Sequence, residues 1–398
     1  MSPVYRMLLG RTLSALGTAL VPVMLTLAVL RISGSAGDVG LVLACELLPM
    51  LVLLPVGGVV ADRVHPAKVL LGADLVRFAA QLAIGIQLVL GGAGIAWLAG
   101  LSALTGVAIA FGSPAVPTLV AAAVAAPDRL RVNTRIGMAT GLSAVVAPAL
   151  CGAVVLVAGP GAVALLAAAL FAASALTLGG VRTPAAARPS TGAHLGFRTQ
   201  LQEGWTEVRS RRWFLLSVLG HAVWHFAAGF FLAIGPVIAV RELGGEPAWV
   251  LIVQSGTAGM LIGVFAAPRL RITRPLAVCT IGVALLGLPL TALAVGASVV
   301  VVACAYLVAM LGLGLLIPLW ETVVADRVPQ HALGRVRSFD SLLSFAARPL
   351  GLAVAGPIAA VAGPAVPLLV CAALVTVVGV GTLGVRAVRE RQQPAVSR

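Results

Sequence analysis

Twelve apolar stretches, each at least 20 residues long, fill most of this chain and leave it few folds to choose from. Dividing the sequence at charges and at Gly/Pro turns places them at 12–31, 39–61, 69–90, 96–122, 136–157, 161–181, 214–240, 248–268, 275–296, 298–323, 338–361 and 364–385. A bilayer core about 30 Å thick is crossed by about 20 helical residues, and each of these runs has 20 to 27. In lipid the backbone groups must be satisfied within the span, so the runs read as helices. Composition agrees: 60% of residues are hydrophobic and 10% charged, with a mean hydropathy of +1.08, whereas a soluble domain has about 25% charged residues. A soluble enzyme, a nucleic-acid-binding module and a disordered scaffold are excluded at this step. The first run lacks an Ala-x-Ala type cleavage site and is too long for a signal-peptide core, so it reads as a retained helix. The expectation is an all-α integral membrane protein with twelve transmembrane helices.

The 27 Lys and Arg residues then act as a topology marker. With the N-terminus inside, 23 of them lie in inner segments, two (Arg31 and Arg241) in outer loops, and two (Arg77 and Arg348) within spans. By the positive-inside rule this bias puts both termini in the cytoplasm. The net charge of +14 therefore follows from topology and implies no nucleic-acid partner. Trp97 and Trp249 open the fourth and eighth spans on the outer side, and Trp213 and Trp320 mark the inner side; all four read as interfacial anchors. Cys45, Cys151, Cys279, Cys304 and Cys371 sit in apolar runs with no C-x-x-C pair and read as small packing residues.

An internal repeat divides the chain. Ala158-Gly159-Pro160 follows the fifth span and Ala362-Gly363-Pro364 the eleventh, an offset of 204 residues. Pro148 and Pro349, and Pro127 and Pro329, repeat at offsets of 201 and 202. These landmarks predict two six-helix bundles, 1–181 and 213–398, in the same orientation. Parallel halves with a cavity at the bilayer midplane are a transporter architecture. Between them, 182–212 is the longest polar stretch, and Phe197, Leu201, Trp205 and Val208 form one apolar helical face. The segment reads as a cytoplasmic linker with an amphipathic helix on the inner leaflet.

The loop after the second span, Gly58-Val59-Val60-Ala61-Asp62-Arg63-Val64-His65-Pro66-Ala67-Lys68, resembles the G-x-x-x-D-R-x-G-R-[RK] signature of the major facilitator superfamily. His65, Pro66 and Ala67 stand where that pattern has the second glycine and the basic pair. Pro318-Leu319-Trp320-Glu321-Thr322 and Leu333-Gly334-Arg335-Val336, with Leu54-Pro55 and Asp74-Leu75-Val76-Arg77, look like the branch that contains the enterobactin exporters and macrolide efflux proteins. The resemblance implies the major facilitator fold, two six-helix bundles that rock about a central cavity, and secondary transport without a cofactor. It also implies that Asp62 and Arg63, with Lys68, latch an inner gate. Asp74 and Arg77, three apart near the inner end of span three, and Asp340 are grouped with that gate. The fourth span has no arginine, although many antiporters of the family use one there.

Charges within a bilayer are costly and face a cavity or a partner. Glu46 lies about 10 Å below the outer surface in span two with no basic residue one turn away. It reads as a proton carrier or as a neutral acid donating one structural hydrogen bond. His221 and His225, four apart, share a face of span seven near the midplane; substrate contact, proton relay and interhelix hydrogen bonding all remain open for them. Arg348, midway along span eleven, cannot neutralise itself and needs an acid, a carbonyl or an anionic substrate group. No metal set, phosphate loop, H-E-x-x-H or G-x-S-x-G elbow occurs.

The reading is a monomeric secondary transporter of a bacterial inner membrane, exporting a hydrophobic or amphipathic small molecule against inward proton flow. Its partners are the small-molecule substrate, protons and the lipid bilayer. The alternatives are a proton-coupled importer and a membrane-embedded enzyme acting on lipid-like substrates.

Overall fold

A computed structural model describes residues 3–179, 205–206, 208–328, 336, 339–340 and 342–384. All regular structure among them is helical. The chain divides into two compact units, Met1–Ser190 and Thr191–Arg398.

In the first unit α1 (Pro3–Ser33), α2 (Ala36–Arg63), α3 (Pro66–Leu90) and α4 (Ile95–Ala123) lead into one 51-residue helical stretch, Arg129–Gly179. Gly159 breaks that stretch with φ 79° and ψ 172°, a backbone conformation open essentially to glycine alone. The stretch is therefore two helices, α5 (129–158) and α6 (160–179). The second unit contains α7 (Arg212–Glu242), α8 (Glu246–Ala266), α9 (Pro275–Ala294), α10 (Val299–Arg327), α11 (Leu342–Ala362) and α12 (Ala365–Thr382). Eleven helical segments among the described residues are long and apolar enough to cross a membrane. Division of the longest at Gly159 brings them to the twelve read from sequence.

The same joint recurs in the second unit. Gly363, between α11 and α12, has φ 76° and ψ 159°, so the repeated Ala-Gly-Pro marks an equivalent turn in each unit. A Cβ at either glycine strains the backbone by about 1–3 kcal/mol. Gly363→Ala is expected to lower the thermal melting temperature of the purified protein, while Val361→Ala, at a 92% exposed position, leaves it unchanged.

One span differs from the uniform helix expected. The α9 segment is interrupted between Pro275–Ala284 and Gly287–Ala294. Pro289 has no N–H to give the carbonyl of Leu285, and its ring crowds that carbonyl. The chain answers with a tighter turn in which Leu288 N–H donates to Leu285 O at 3.1 Å.

Helix pairing follows the repeat. In the first unit α1 packs on the α5–α6 stretch and α2 on α4; in the second, α7 packs on α11 and α12 and α8 on α10. Between helices in lipid there is little hydrophobic drive, so small residues that let backbones touch supply the contact. A Cβ at Gly106 in α4 would come within 1.9 Å of the Glu46 carbonyl oxygen in α2, and one at Gly259 in α8 within 2.1 Å of the Leu307 carbonyl oxygen in α10.

Most of the expected linker 182–212, including Phe197 and Leu201 of its apolar face, lies outside the described residues; of that face Trp205 is half-exposed beside Phe339, 6.0 Å between ring centroids, and Val208 is buried. Residues 329–335 with the Leu333-Gly334-Arg335 motif, and the side chains of Asp62 and Arg63, also lie outside the described residues.

Candidate functional site

Each unit encloses a polar cluster within its apolar packing. In the first, α3 presents Asp74 and Arg77, 1% and 6% exposed, one turn apart on one face. Arg77 Nη1 lies 3.4 Å from Asp74 Oδ1. Two buried charges in a low-dielectric interior need their remaining donors and acceptors filled, and hydroxyls from neighbouring helices do so. Ser14 Oγ, on α1, donates to Asp74 Oδ1 at 3.0 Å and accepts from Arg77 Nη1 at 3.2 Å. Thr18 accepts from Arg77 Nη2. From α6, Ser174 Oγ donates to Asp74 Oδ2 at 2.6 Å, and the Arg77 guanidinium stacks 4.0 Å over the Phe171 ring. The pair therefore ties α3 to α1 and α6. Beside it is a cavity of about 250 Å³, lined among others by Arg11, Thr18, Asp74, Arg77 and Thr140.

Glu46 does not line that cavity. Its Oε2 is buried and has no hydrogen-bond partner, its backbone lies against Gly106 of α4, and Arg77 is the charge that acts on it. Lys68 is exposed at the start of α3, where Pro66 opens the helix in the first turn.

The second unit holds a cavity of about 370 Å³. Helix α7 contributes His221, Trp224 and His225; α9 contributes Val283; α10 contributes Leu313, Leu316, Ile317, Trp320 and Glu321; α11 contributes Ser344, Phe345 and Arg348, and Asp340 completes the wall. The three sequence candidates His221, His225 and Arg348 thus meet at one cavity. Asp340 meets them there as well. Its Oδ2 accepts from Trp320 Nε1 at 2.6 Å, its Oδ1 from Ser344 Oγ at 3.1 Å, and His221 Nδ1 lies 4.0 Å from Oδ1. Aromatic rings form much of the surface: His221 sits edge-on to Trp320 at 4.8 Å, and His225 lies against Phe345 at 4.3 Å and Trp224 at 5.0 Å between centroids. Among the described residues no acid pairs with Arg348 within 4.0 Å; its guanidinium lies 5.9 Å from the Trp224 ring centroid. Ser341, which shares a helical face with Arg348 in sequence, lies outside the described residues.

Several of these groups escape a reading of sequence alone. Ser14, Thr18 and Ser174 look like ordinary hydroxyls of apolar helices. Trp320 reads as an interfacial anchor, yet it is 5% exposed, stacks on Phe214 at 5.5 Å and fixes Asp340. Trp249, also read as an anchor, is 2% exposed against Phe231 and Gly235. An indole N–H paired to a buried carboxylate or a ring filling a glycine notch keeps the side chain inside. Trp97, with neither, is 50% exposed.

A mostly apolar concavity with a few converging polar groups is what small-molecule binding requires. The sequence model of the Major Facilitator Superfamily matches residues 7–352. The chain is 28% identical over 411 residues to the multidrug efflux pump Tap of Mycobacterium tuberculosis (strain ATCC 25618 / H37Rv), covering 98% of this chain and 94% of the pump. It is 27% identical over 356 residues to the pump of the same name from Mycolicibacterium fortuitum, covering 84% of each chain. Among solved structures, a mutant of the nucleoside transporter NupG superposes with a TM-score of 0.75 at 12% identity, over 95% of this chain and 99% of that one. A POT family transporter in complex with a thioalcohol-conjugated peptide superposes with a TM-score of 0.74 at 12% identity, over 96% and 95%. The likeness to these structures is one of fold. The family match over nearly the whole chain, twelve apolar helices and the repeated joint at Gly159 and Gly363 lead to one conclusion: this protein belongs to the Major Facilitator Superfamily and is a membrane transporter of small molecules.

Proposed function

We propose that the chain is a proton-coupled exporter of hydrophobic or amphipathic small molecules, such as drugs, siderophores or secondary metabolites, in a bacterial inner membrane. The observation that carries this reading is the full-length similarity to pumps named for multidrug efflux, and the aromatic cavity bounded by Trp224, Trp320 and Phe345 supports it. In this account two bundles, 1–181 and 213–398, joined by 182–212, rock in alternation within a monomer whose termini are both cytoplasmic. His221, His225 and Arg348 contact the substrate. Glu46 carries the proton. Asp62, Arg63 and Lys68 latch the inner gate, Asp74 and Arg77 brace the helices behind it, and Asp340 sets the second unit's side of it.

The test uses a host stripped of its own efflux pumps. Intracellular accumulation of a macrolide, a lipophilic cation and a catecholate siderophore is followed with and without a protonophore. Expression of the protein is expected to lower accumulation of at least one of them, and the protonophore to abolish the difference. Raised accumulation would make it an importer and overturn the proposal.

A further inference from the structure

Three buried nitrogen atoms around the second unit's cavity have no hydrogen-bond partner: Trp224 Nε1, His225 Nδ1 and Arg348 Nε. Two of them, the indole and guanidinium nitrogens, can only donate. Trp224 is 5% exposed, so bulk water does not answer for its N–H. Buried donors left unmatched are unfavourable, and natural proteins keep few of them without a purpose. The acids nearby do not match them. Asp340 already accepts from Trp320 on one oxygen and from Ser344 on the other, and Glu321 has an interaction of its own.

Of the three unmatched atoms, two are obligate donors, and one of these belongs to a permanent positive charge; Asp340 and Glu321 are the acids of the same lining. The guanidinium lies over the Trp224 ring, 5.9 Å from its centroid, and Gly229 lets α7 approach α11 so closely that a Cβ there would fall 2.9 Å from the Arg348 carbonyl oxygen. The backbone contact fixes Arg348 next to α7. Phe345, Leu316 and Ile317 also line the cavity and offer ring and aliphatic surface.

We infer that this cavity recognises an organic anion: a flat or aromatic molecule whose compact oxyanion, such as a carboxylate, accepts hydrogen bonds from the Arg348 guanidinium while its rings lie against Phe345 and Trp320. A planar guanidinium suits a carboxylate geometrically as an ammonium does not. The inference names the substrate class of the export reading and rests on that reading for the cavity's role in transport.

The experiment measures equilibrium binding by calorimetry to the full-length protein in phosphatidylcholine nanodiscs, with empty discs subtracted. The probes are 1-naphthoate, 1-naphthylmethanol and 1-naphthylmethylamine, which share a ring system and differ in charge. Naphthoate is expected to bind about tenfold or more tighter than the other two, in keeping with a charge-assisted hydrogen bond. Arg348→Gln should erase that preference, and Arg348→Lys should restore part of it. Equal binding of the three probes, preference for the amine, no binding of naphthoate, or a preference that survives Arg348→Gln would each overturn the inference. Because the assay uses no gradient and no flux, it is independent of the accumulation measurement. Anion preference without any export would sink the export reading alone, and export without anion preference would sink this inference alone.

Discussion

Glu46→Gln is expected to bring uphill export down to the level of a vector control while leaving the protein folded and in the membrane. The contact with Gly106 is made by the Glu46 backbone and is untouched, and the amide has nearly the shape of the protonated acid but cannot release a proton. In the native protein Oε2 is buried without a hydrogen-bond partner, and the charge that acts on Glu46 belongs to Arg77. An acid in that setting can exist neutral, or charged against a guanidinium already held by Asp74. That pair of states is what a proton carrier needs. The informative comparison is exchange of labelled for unlabelled substrate across proteoliposomes with no gradient. If Glu46 carries the proton, the Gln variant keeps exchange and loses gradient-driven accumulation, and Glu46→Asp recovers part of the latter. A variant that loses both, with a lowered melting temperature, would instead mark Glu46 as a structural acid.

The second large effect belongs to Asp74. Asp74→Leu leaves Arg77 buried with its guanidinium aimed at hydroxyls that cannot neutralise it, and it removes the acceptor for Ser14 and Ser174. Removing one partner of a buried ion pair costs about 3–5 kcal/mol, enough to lower the yield of monodisperse protein sharply. Asp74→Leu combined with Arg77→Met should recover much of that loss, since two apolar side chains replace a pair whose desolvation was itself unfavourable. Size-exclusion profiles and melting temperatures of the two single variants and the double variant test this. A double variant no better than Asp74→Leu alone would mean that the surrounding hydroxyl network, rather than the ion pair, holds α1, α3 and α6 together.

The spans and the joints between them were open to sequence reasoning because both depend on local chemistry. A run of 20 apolar residues has one solution in lipid, and a glycine ahead of a proline at the same place in two halves marks a turn that only glycine adopts with ease. Asp74 and Arg77 could be matched for the same reason, being three residues apart on one helix. What surrounds them could not. Ser14 and Ser174 lie 60 and 100 residues from Asp74, and nothing distinguishes them in sequence from Ser143 and Thr105, whose hydroxyls donate to carbonyls four residues back, Ala139 and Leu101. Hydroxyls of apolar helices take that local bond readily, so their longer-range partners appear only once the helices are packed.

Trp320 illustrates the same limit. Its position near the inner end of a span points to the interface, and only the approach of Asp340 and His221 gives the indole a buried role. Asp340 was grouped with the inner gate from sequence; the structure sets it in the wall of the cavity that holds His221 and Arg348. Its two readings meet if the residue that fixes Trp320 beside the cavity also moves when the inner side opens.

The central claim is that an inward proton gradient drives substrate outward, and purified protein in proteoliposomes tests it most directly. The vesicles are loaded with a pH-sensitive dye, a proton gradient is imposed, and the compound most strongly excluded in the accumulation panel is added on the side that faces the cytoplasm in cells. The account predicts substrate uptake into the lumen coupled to proton release from it, both abolished by protonophore and by Glu46→Gln. Movement of substrate and protons in the same direction, or transport indifferent to the gradient, would contradict it.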